Sequence, residues 1–142
     1  MDELPHIYET TARAQAQGNV ELTAPGLPAL PSAAPPEFGG PGDVWSPETL
    51  LTAAVADCFV LGFRAIARAS KLEWEHLECE VKGQLDRVEK VLKFTRFDLK
   101  VHLKAPGVEE GRAMRILERA EKTCLITNSL SAEVHLEASV GA

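Results

Sequence analysis

The sequence predicts an α+β fold with mostly antiparallel strands. Three observations carry the prediction. Segments of alternating apolar and polar residues come in pairs separated by single helical segments, in the order strand–strand–loop–helix–strand–strand–helix–strand. One helical segment, Leu50 to Ala67, is apolar on every side, the mark of a helix enclosed by other elements. The second helical segment is amphipathic at the helical period. The 142 residues are about one domain long, so residues 1–142 are expected to form a single domain with a Pro/Gly-rich loop over 25–45 inside it.

The first element is a hairpin in HIYETTARAQAQGNVELTA. Ala12, Ala14 and Ala16 alternate with Arg13 and Gln15, and after the Gly18-Asn19 turn Val20, Leu22 and Ala24 alternate again. A breaker-rich stretch follows, with seven of the nine prolines between Pro25 and Pro47, too proline-rich for a central strand or a helix. Phe38 and Trp45 near its end mark a part that packs.

The first helix is predicted from Ser46 to about Ser70. Ser46 suits the N-cap and Pro47 the first helical position. Ala53, Ala54, Ala56 and Gly62 leave room for close approach by another element. Two strands come next: Leu77, Cys79, Val81 and Leu85 share one parity, and Phe97, Leu99, Val101 and Leu103 share another. DRVEKVLK joins them as an antiparallel pair, and Phe94, out of parity, points to a bulge near Thr95. The second helix follows Pro106-Gly107, with Ala113, Ile116, Leu117, Ala120 and Cys124 on one stripe. The last strand runs through Ala132, Val134, Leu136, Ala138 and Val140.

Composition narrows the function. A net charge of −6 argues against nucleic acid or anionic membrane as the main partner. MDELPHIYE lacks the basic and apolar regions of a signal peptide. Leu50 to Ala67 has the length to consider as a membrane span, but Asp57 and Arg64 inside it are costly at membrane depth. A soluble, cytoplasmic protein is expected. Three cysteines, Cys58, Cys79 and Cys124, do not make a disulfide framework, and the four histidines have no metal-ligand spacing.

Cys79 alternates with core residues and reads as packing. Cys58 and Cys124 each fall on an inward helical stripe, and if the helices pack together the sulfurs can meet. Periodicity alone favours packing for these two as well, since free cysteine is among the most buried residue types. A nucleophile needs the thiolate, which an apolar helix interior disfavours, so a reactive Cys58 requires a nearby cation. Arg13 is the single basic residue between Met1 and Phe63. It reads either as a solvated strand residue or as the guanidinium that holds a thiolate, with Arg64, Arg68 and Arg96 in reserve. Asp57 beside Cys58 faces another direction on the helix, as a partner for Arg64; turned toward Cys58 it opposes ionisation.

SPETLLTAAVADCF resembles the signature of the OsmC/Ohr family, the osmotically induced and organic-hydroperoxide-resistance proteins. In that signature an S/N-P-E-x-L segment is followed, ten residues after its Glu, by the reactive Cys; Glu48 and Cys58 have this separation. CLITNSL, from Cys124, is similar to the family's distal C-x-x-S/T-N segment. The resemblance spans Tyr8 to the C-terminus. It implies an OsmC-like fold, an intertwined homodimer whose strands wrap two central helices. It also implies a two-cysteine peroxidase for organic hydroperoxides: Cys58 becomes a sulfenic acid, Cys124 condenses with it to a disulfide, and an external dithiol, lipoyl or another thiol system, resets the pair. No metal, haem or flavin is implied. In the family the Glu pairs with an Arg that steadies the thiolate. That assigns Glu48 and Arg13 here, although the flanks of Arg13 in TARAQAQGNVEL lack the glycines of the hydroperoxide-resistance branch.

Ten residues of helix span about 15 Å. Glu48 therefore reaches a Cys58 only across a dimer interface or through a broken helix; its plainer role is to complement the helix N-terminus. Two other functions compete: a thioesterase-like hydrolase with Asp57 or Glu48 as base, indifferent to Cys124, and a non-catalytic dimeric binder of apolar ligands whose cysteines only pack. Phe38, Trp45, Phe59 and Phe63 are the candidate pocket walls.

Overall fold

The structure, a computed structural model, describes residues 3–141. The chain divides into two compact units, Met1–Leu50 and Leu51–Ala142.

The first unit holds a three-stranded antiparallel sheet in the order β1-β2-β3, from β1 (Thr11–Arg13), β2 (Val20–Thr23) and β3 (Leu30–Ser32). The predicted hairpin is present, but Arg13 pairs with Glu21, so the connection is longer than a tight Gly18-Asn19 turn. The Pro/Gly-rich stretch is more ordered than its composition indicates. It contributes β3, where Pro31 opposes Glu21. A sheet edge tolerates proline because only one side of the strand needs its N–H groups paired. A short 3-10 turn at Pro36–Phe38 follows, and the N–H of Ala33 donates to the carbonyl of Trp45 at 2.9 Å.

Helix α1 (Pro47–Ala69) starts where Ser46 and Pro47 predict. Ser46 and Thr49 cap it reciprocally. The Thr49 N–H donates to the Ser46 hydroxyl at 3.1 Å, and the Ser46 N–H to the Thr49 hydroxyl at 2.9 Å. The helix stops without a glycine. Lys71 takes a left-handed φ of 56°, and the Leu72 N–H reaches back to the Ala67 carbonyl at 2.9 Å, a Schellman ending. Arg112 secures that end by donating to the Ser70 carbonyl at 2.6 Å.

The second unit carries a three-stranded sheet in the order β4-β5-β6, from β4 (His76–Val88), β5 (Val91–Lys104) and β6 (Glu133–Gly141). β4 and β5 form a long hairpin closed by Glu89 and Lys90 alone, with φ of 50° and 71°. These mirror-image turn angles suit the strand twist, although the residues are not the Asn-Gly that usually announces them. The strands thus run through most of DRVEKVLK. The bulge falls where Phe94 indicated: Gln84 opposes Arg96 and Leu85 opposes Phe94, leaving Thr95 unopposed. Gly83 is required beside it. A Cβ there would lie 2.9 Å from Phe97 and 3.0 Å from Phe94, whose rings stack at 5.3 Å.

β6 pairs with β5 in parallel, so the sheet is mixed, with α2 (Glu110–Lys122) and the short α3 (Leu125–Asn128) in the crossover. One sheet face is apolar. Phe97, Leu99, Val101 and Leu103 of β5 pack with Val55, Phe59, Phe63 and Ala67 of α1 and with Ala113, Ile116, Leu117 and Ala120 of α2. The other face is polar and charge-complementary across strands, with rows Lys82–Asp98–His135 and Glu80–Lys100–Glu137.

The enclosure expected for α1 is not met within one chain. Only the stripe Val55, Phe59, Phe63 and Ala67 is fully buried, while Leu61 is 51% exposed and Ala53, Ala54, Ala56 and Val60 are half-buried.

Candidate functional site

α1 brings Cys58 to the site one position before Phe59, so the thiol lies at the rim of the buried stripe and is half-buried. Cys124 arrives differently from the prediction. It is not on the stripe of α2, which ends at Lys122. The Thr123 hydroxyl turns back onto the Arg119 carbonyl at 2.8 Å, and Cys124 leaves the helix with φ −63° and ψ 112° to begin α3. The Asn128 N–H donates to the Cys124 carbonyl at 3.0 Å, and the Asn128 side chain holds the Lys122 carbonyl at 3.1 Å. This double tie fixes the turn that carries Cys124.

The structure brings Cys58 and Cys124 together. Both are free thiols, both line one cavity, and each is near enough to perturb the ionisation of the other. The amides of α3 point at them. Leu125 and Ile126 present N–H groups to the Cys58 sulfur, and Ile126 and Thr127 to the Cys124 sulfur. The buried Thr127 hydroxyl donates to the Cys124 carbonyl oxygen at 3.3 Å and, beside the sulfur, favours its charged form.

These contacts act unequally. Burial pushes the Cys58 thiol up, the Ile126 N–H offsets this in part, and the neighbouring Cys124 adds to the rise. Burial also raises Cys124, but the Thr127 hydroxyl and amide, the Cys58 thiol and the Ile126 amide together outweigh it, and Cys124 is lowered. Two neighbouring sulfurs do not both ionise readily, so the pair titrates as a unit. Cys79, on the inner face of β4, is pushed up to about 11, by burial first and by Cys124 second.

An apolar cavity of about 430 Å³ opens onto the pair, lined by Ala54, Cys58, Leu61, Cys124, Leu125 and Ile126 among others. Its aromatic walls were misplaced by the sequence reading. Phe59 and Phe63 are fully buried on the opposite side of α1, in the core, because they share the stripe of Val55. Phe38 and Trp45 belong to the first unit, where they are 53% and 46% exposed. Asp57 also lines the cavity, closer to the thiol's surroundings than its place on the helix indicated, and it does not pair with Arg64, which is exposed. No cationic side chain is in the lining of this cavity among the described residues.

Arg13 and Glu48 lie in the first unit, Cys58 and Cys124 in the second. Arg13 is exposed on β1 opposite Glu21. Glu48 occupies the first turn of α1, which is unbroken through Cys58, so about 15 Å of helix separates the two positions. Of the reserve arginines, Arg68 is exposed, and Arg96 is held by Asp98 at 2.7 Å on the polar sheet face. Thr127 and the amides of Leu125 and Ile126 were not singled out from sequence. The T-N of CLITNSL was the available signal.

Comparison with known proteins gives a consistent picture. Residues 40–139 match the OsmC-like protein family. The uncharacterized protein YmaD of Bacillus subtilis is 30% identical over 112 residues, 75% of each chain. Among solved structures, an OsmC-like protein of unknown function from Vibrio cholerae superposes with a TM-score of 0.87 at 18% identity, covering 95% of this chain and all (100%) of that one. An organic hydroperoxide resistance protein OsmC from Legionella pneumophila gives 0.74 at 26% identity, covering 99% of this chain and 100% of that one. A putative organic hydroperoxide resistance protein from Vibrio cholerae, with captopril bound in one of its active sites, gives 0.75 at 23% identity over 99% of this chain and 96% of that one.

Proposed function

The chain belongs to the OsmC-like family, and from that premise we propose that it is a thiol-dependent peroxidase that reduces organic hydroperoxides with Cys58 and Cys124. Membership supports a redox role tied to hydroperoxide detoxification. The observation that carries the finer reading is the pair of neighbouring thiols, Cys58 and Cys124, in the lining of one apolar cavity.

In this reading the peroxide enters the cavity, where Leu61 and Leu125 favour an apolar tail. The Cys58 thiolate attacks the terminal oxygen, the O–O bond breaks, and the alkoxide leaves as the alcohol after taking a proton. Cys58 is then a sulfenic acid. The Cys124 thiolate attacks that sulfur, a disulfide forms, and hydroxide leaves as water. An external dithiol reduces the disulfide, and no metal or organic cofactor takes part.

The Cys124 thiolate suits the second step. The first requires the charge on Cys58, and the lining of the cavity offers no cation to hold it there. Arg13 enters the proposal as that cation and Glu48 as its orienting carboxylate, with Glu48 acting on the Cys58 of a second copy because its own is about 15 Å away along the helix. A homodimer accounts for the uncovered apolar faces of α1, and an odd, sparse count of three cysteines suits cytoplasmic residence.

The test is to treat the reduced protein with cumene hydroperoxide and map the cysteines by mass spectrometry. The wild type is expected to give a Cys58–Cys124 disulfide, Cys124→Ser a stalled sulfenic acid on Cys58, and Cys58→Ser no oxidation on this time scale. A sulfenic acid that forms on Cys124 in Cys58→Ser reverses the two roles. Turnover that persists in Cys124→Ser without any disulfide points instead to a one-cysteine or hydrolytic activity.

A further inference from the structure

The two sulfurs differ in access and in support, and this difference bears on how the oxidised pair is reset. Cys58 is half-buried at the rim of α1. Cys124 is only 4% exposed, and Thr127 behind it 7%. The α3 amides face both sulfurs, but Cys124 alone has the Thr127 hydroxyl beside it, anchored on the Cys124 carbonyl at 3.3 Å, and Asn128 locks the turn that presents it. Thiol–disulfide exchange depends on which sulfur is open to attack and on which leaves more easily as a thiolate. Here the two criteria select different atoms, and they act together.

Resting on the peroxidase reading above, we propose that the external dithiol attacks Cys58 from the cavity, and that Thr127 is a positioning residue that receives Cys124 as the leaving thiolate. One reductant thiolate forms a bond to the Cys58 sulfur. The Cys58–Cys124 bond breaks, and its electron pair goes to Cys124, where the Thr127 hydroxyl and the Ile126 and Thr127 amides hold it. The second reductant thiol then attacks the first reductant sulfur. Its proton passes to Cys58, which leaves reduced, and the reductant departs as a cyclic disulfide. Cys79 has no part, because it stays protonated on the inner face of β4.

The experiment starts from protein oxidised with diamide, which makes the disulfide whether or not peroxide does. The protein carries Cys79→Ser to remove the third thiol. It is mixed with 2-mercaptoethanol, quenched in acid within milliseconds, and the adduct is mapped by mass spectrometry. The expected result is the adduct on Cys58, and an adduct on Cys124, or on both equally, overturns the proposal. Thr127→Val is expected to slow reduction by dithiothreitol by roughly threefold to tenfold, with more of the loss at lower pH, and Thr127→Ser to restore the rate. A Thr127→Val rate equal to wild type removes Thr127 from the step. If Thr127→Val does not fold, the adduct map on the otherwise intact chain still decides the direction of attack. Failure of cumene hydroperoxide to form the disulfide counts against the peroxidase reading and leaves the adduct map standing.

Discussion

α1 and α2 lie against the same apolar sheet face, yet they are different kinds of helix. α2 buries Ala113, Ile116, Leu117 and Ala120 and turns Glu118, Arg119 and Lys122 to solvent. Its sequence and its surroundings agree. α1 buries an equally narrow stripe, but its remaining faces carry Leu61, Val60, Ala53 and Ala56 where α2 carries charges. The comparison teaches that α2 is finished by its own fold, whereas α1 keeps a half-covered apolar face that the homodimer proposed above would cover.

That contrast can be broken or sharpened. The largest effect is expected where the helices are alike. Phe59→Ala in α1 and Leu117→Ala in α2 each empty a fully buried site, and should lower unfolding free energy by about 3–5 and 2–5 kcal/mol respectively, read from urea denaturation. A markedly smaller loss at Phe59 would mean that α1 is not seated on the sheet as described.

The helices should part on their outer faces. Leu61→Lys places a charge on the uncovered side of α1 and is expected to weaken the proposed homodimer by about tenfold or more, measured by sedimentation equilibrium against the wild type. Unchanged association would remove Leu61 from the interface and weaken the contrast.

A third expectation concerns the sheet beneath both helices. The folded protein holds the Cys79 proton up to about pH 11, against an ordinary value of 9.0. Because the folded value is raised, this contribution to stability is complete below about pH 9 and is lost as pH climbs towards 11. Stability should fall across that window in the wild type, and less steeply in Cys79→Ala. Equal slopes would show Cys79 to be more open than its strand position indicates. The smallest effect belongs to Glu118→Ala on the solvent side of α2, within about 0.5 kcal/mol and with no change in association.

What the sequence revealed followed the reach of each signal. Ser46-Pro47 marked the start of α1 because capping is decided within four residues, and Phe94 marked the bulge because one residue out of parity is a local event. The Glu89-Lys90 turn was hidden because two ordinary residues adopt positive φ when the flanking strands hold them there. β3 was hidden because proline statistics speak for central strands, and this one is an edge. The end of α2 was missed because the apolar stripe continues in register through Cys124, while Thr123 and Asn128 stop the helix by hydrogen bonds that periodicity does not register. The pairing of Cys58 with Cys124 was implied by the resemblance to the OsmC/Ohr family; periodicity left it open. Their unequal support, through Thr127, depends on side-chain positions that only the folded chain supplies.

The charge rows on the outer sheet face have one more consequence. Lysines and carboxylates that answer each other across β4, β5 and β6 keep that side hydrated and nearly neutral as a whole, so it offers an approaching molecule neither oil nor a strong field. The uncovered side of α1, with Leu61 and Val60, is the contrasting surface: it holds its water weakly, so of the two it is the one that an apolar partner could dry.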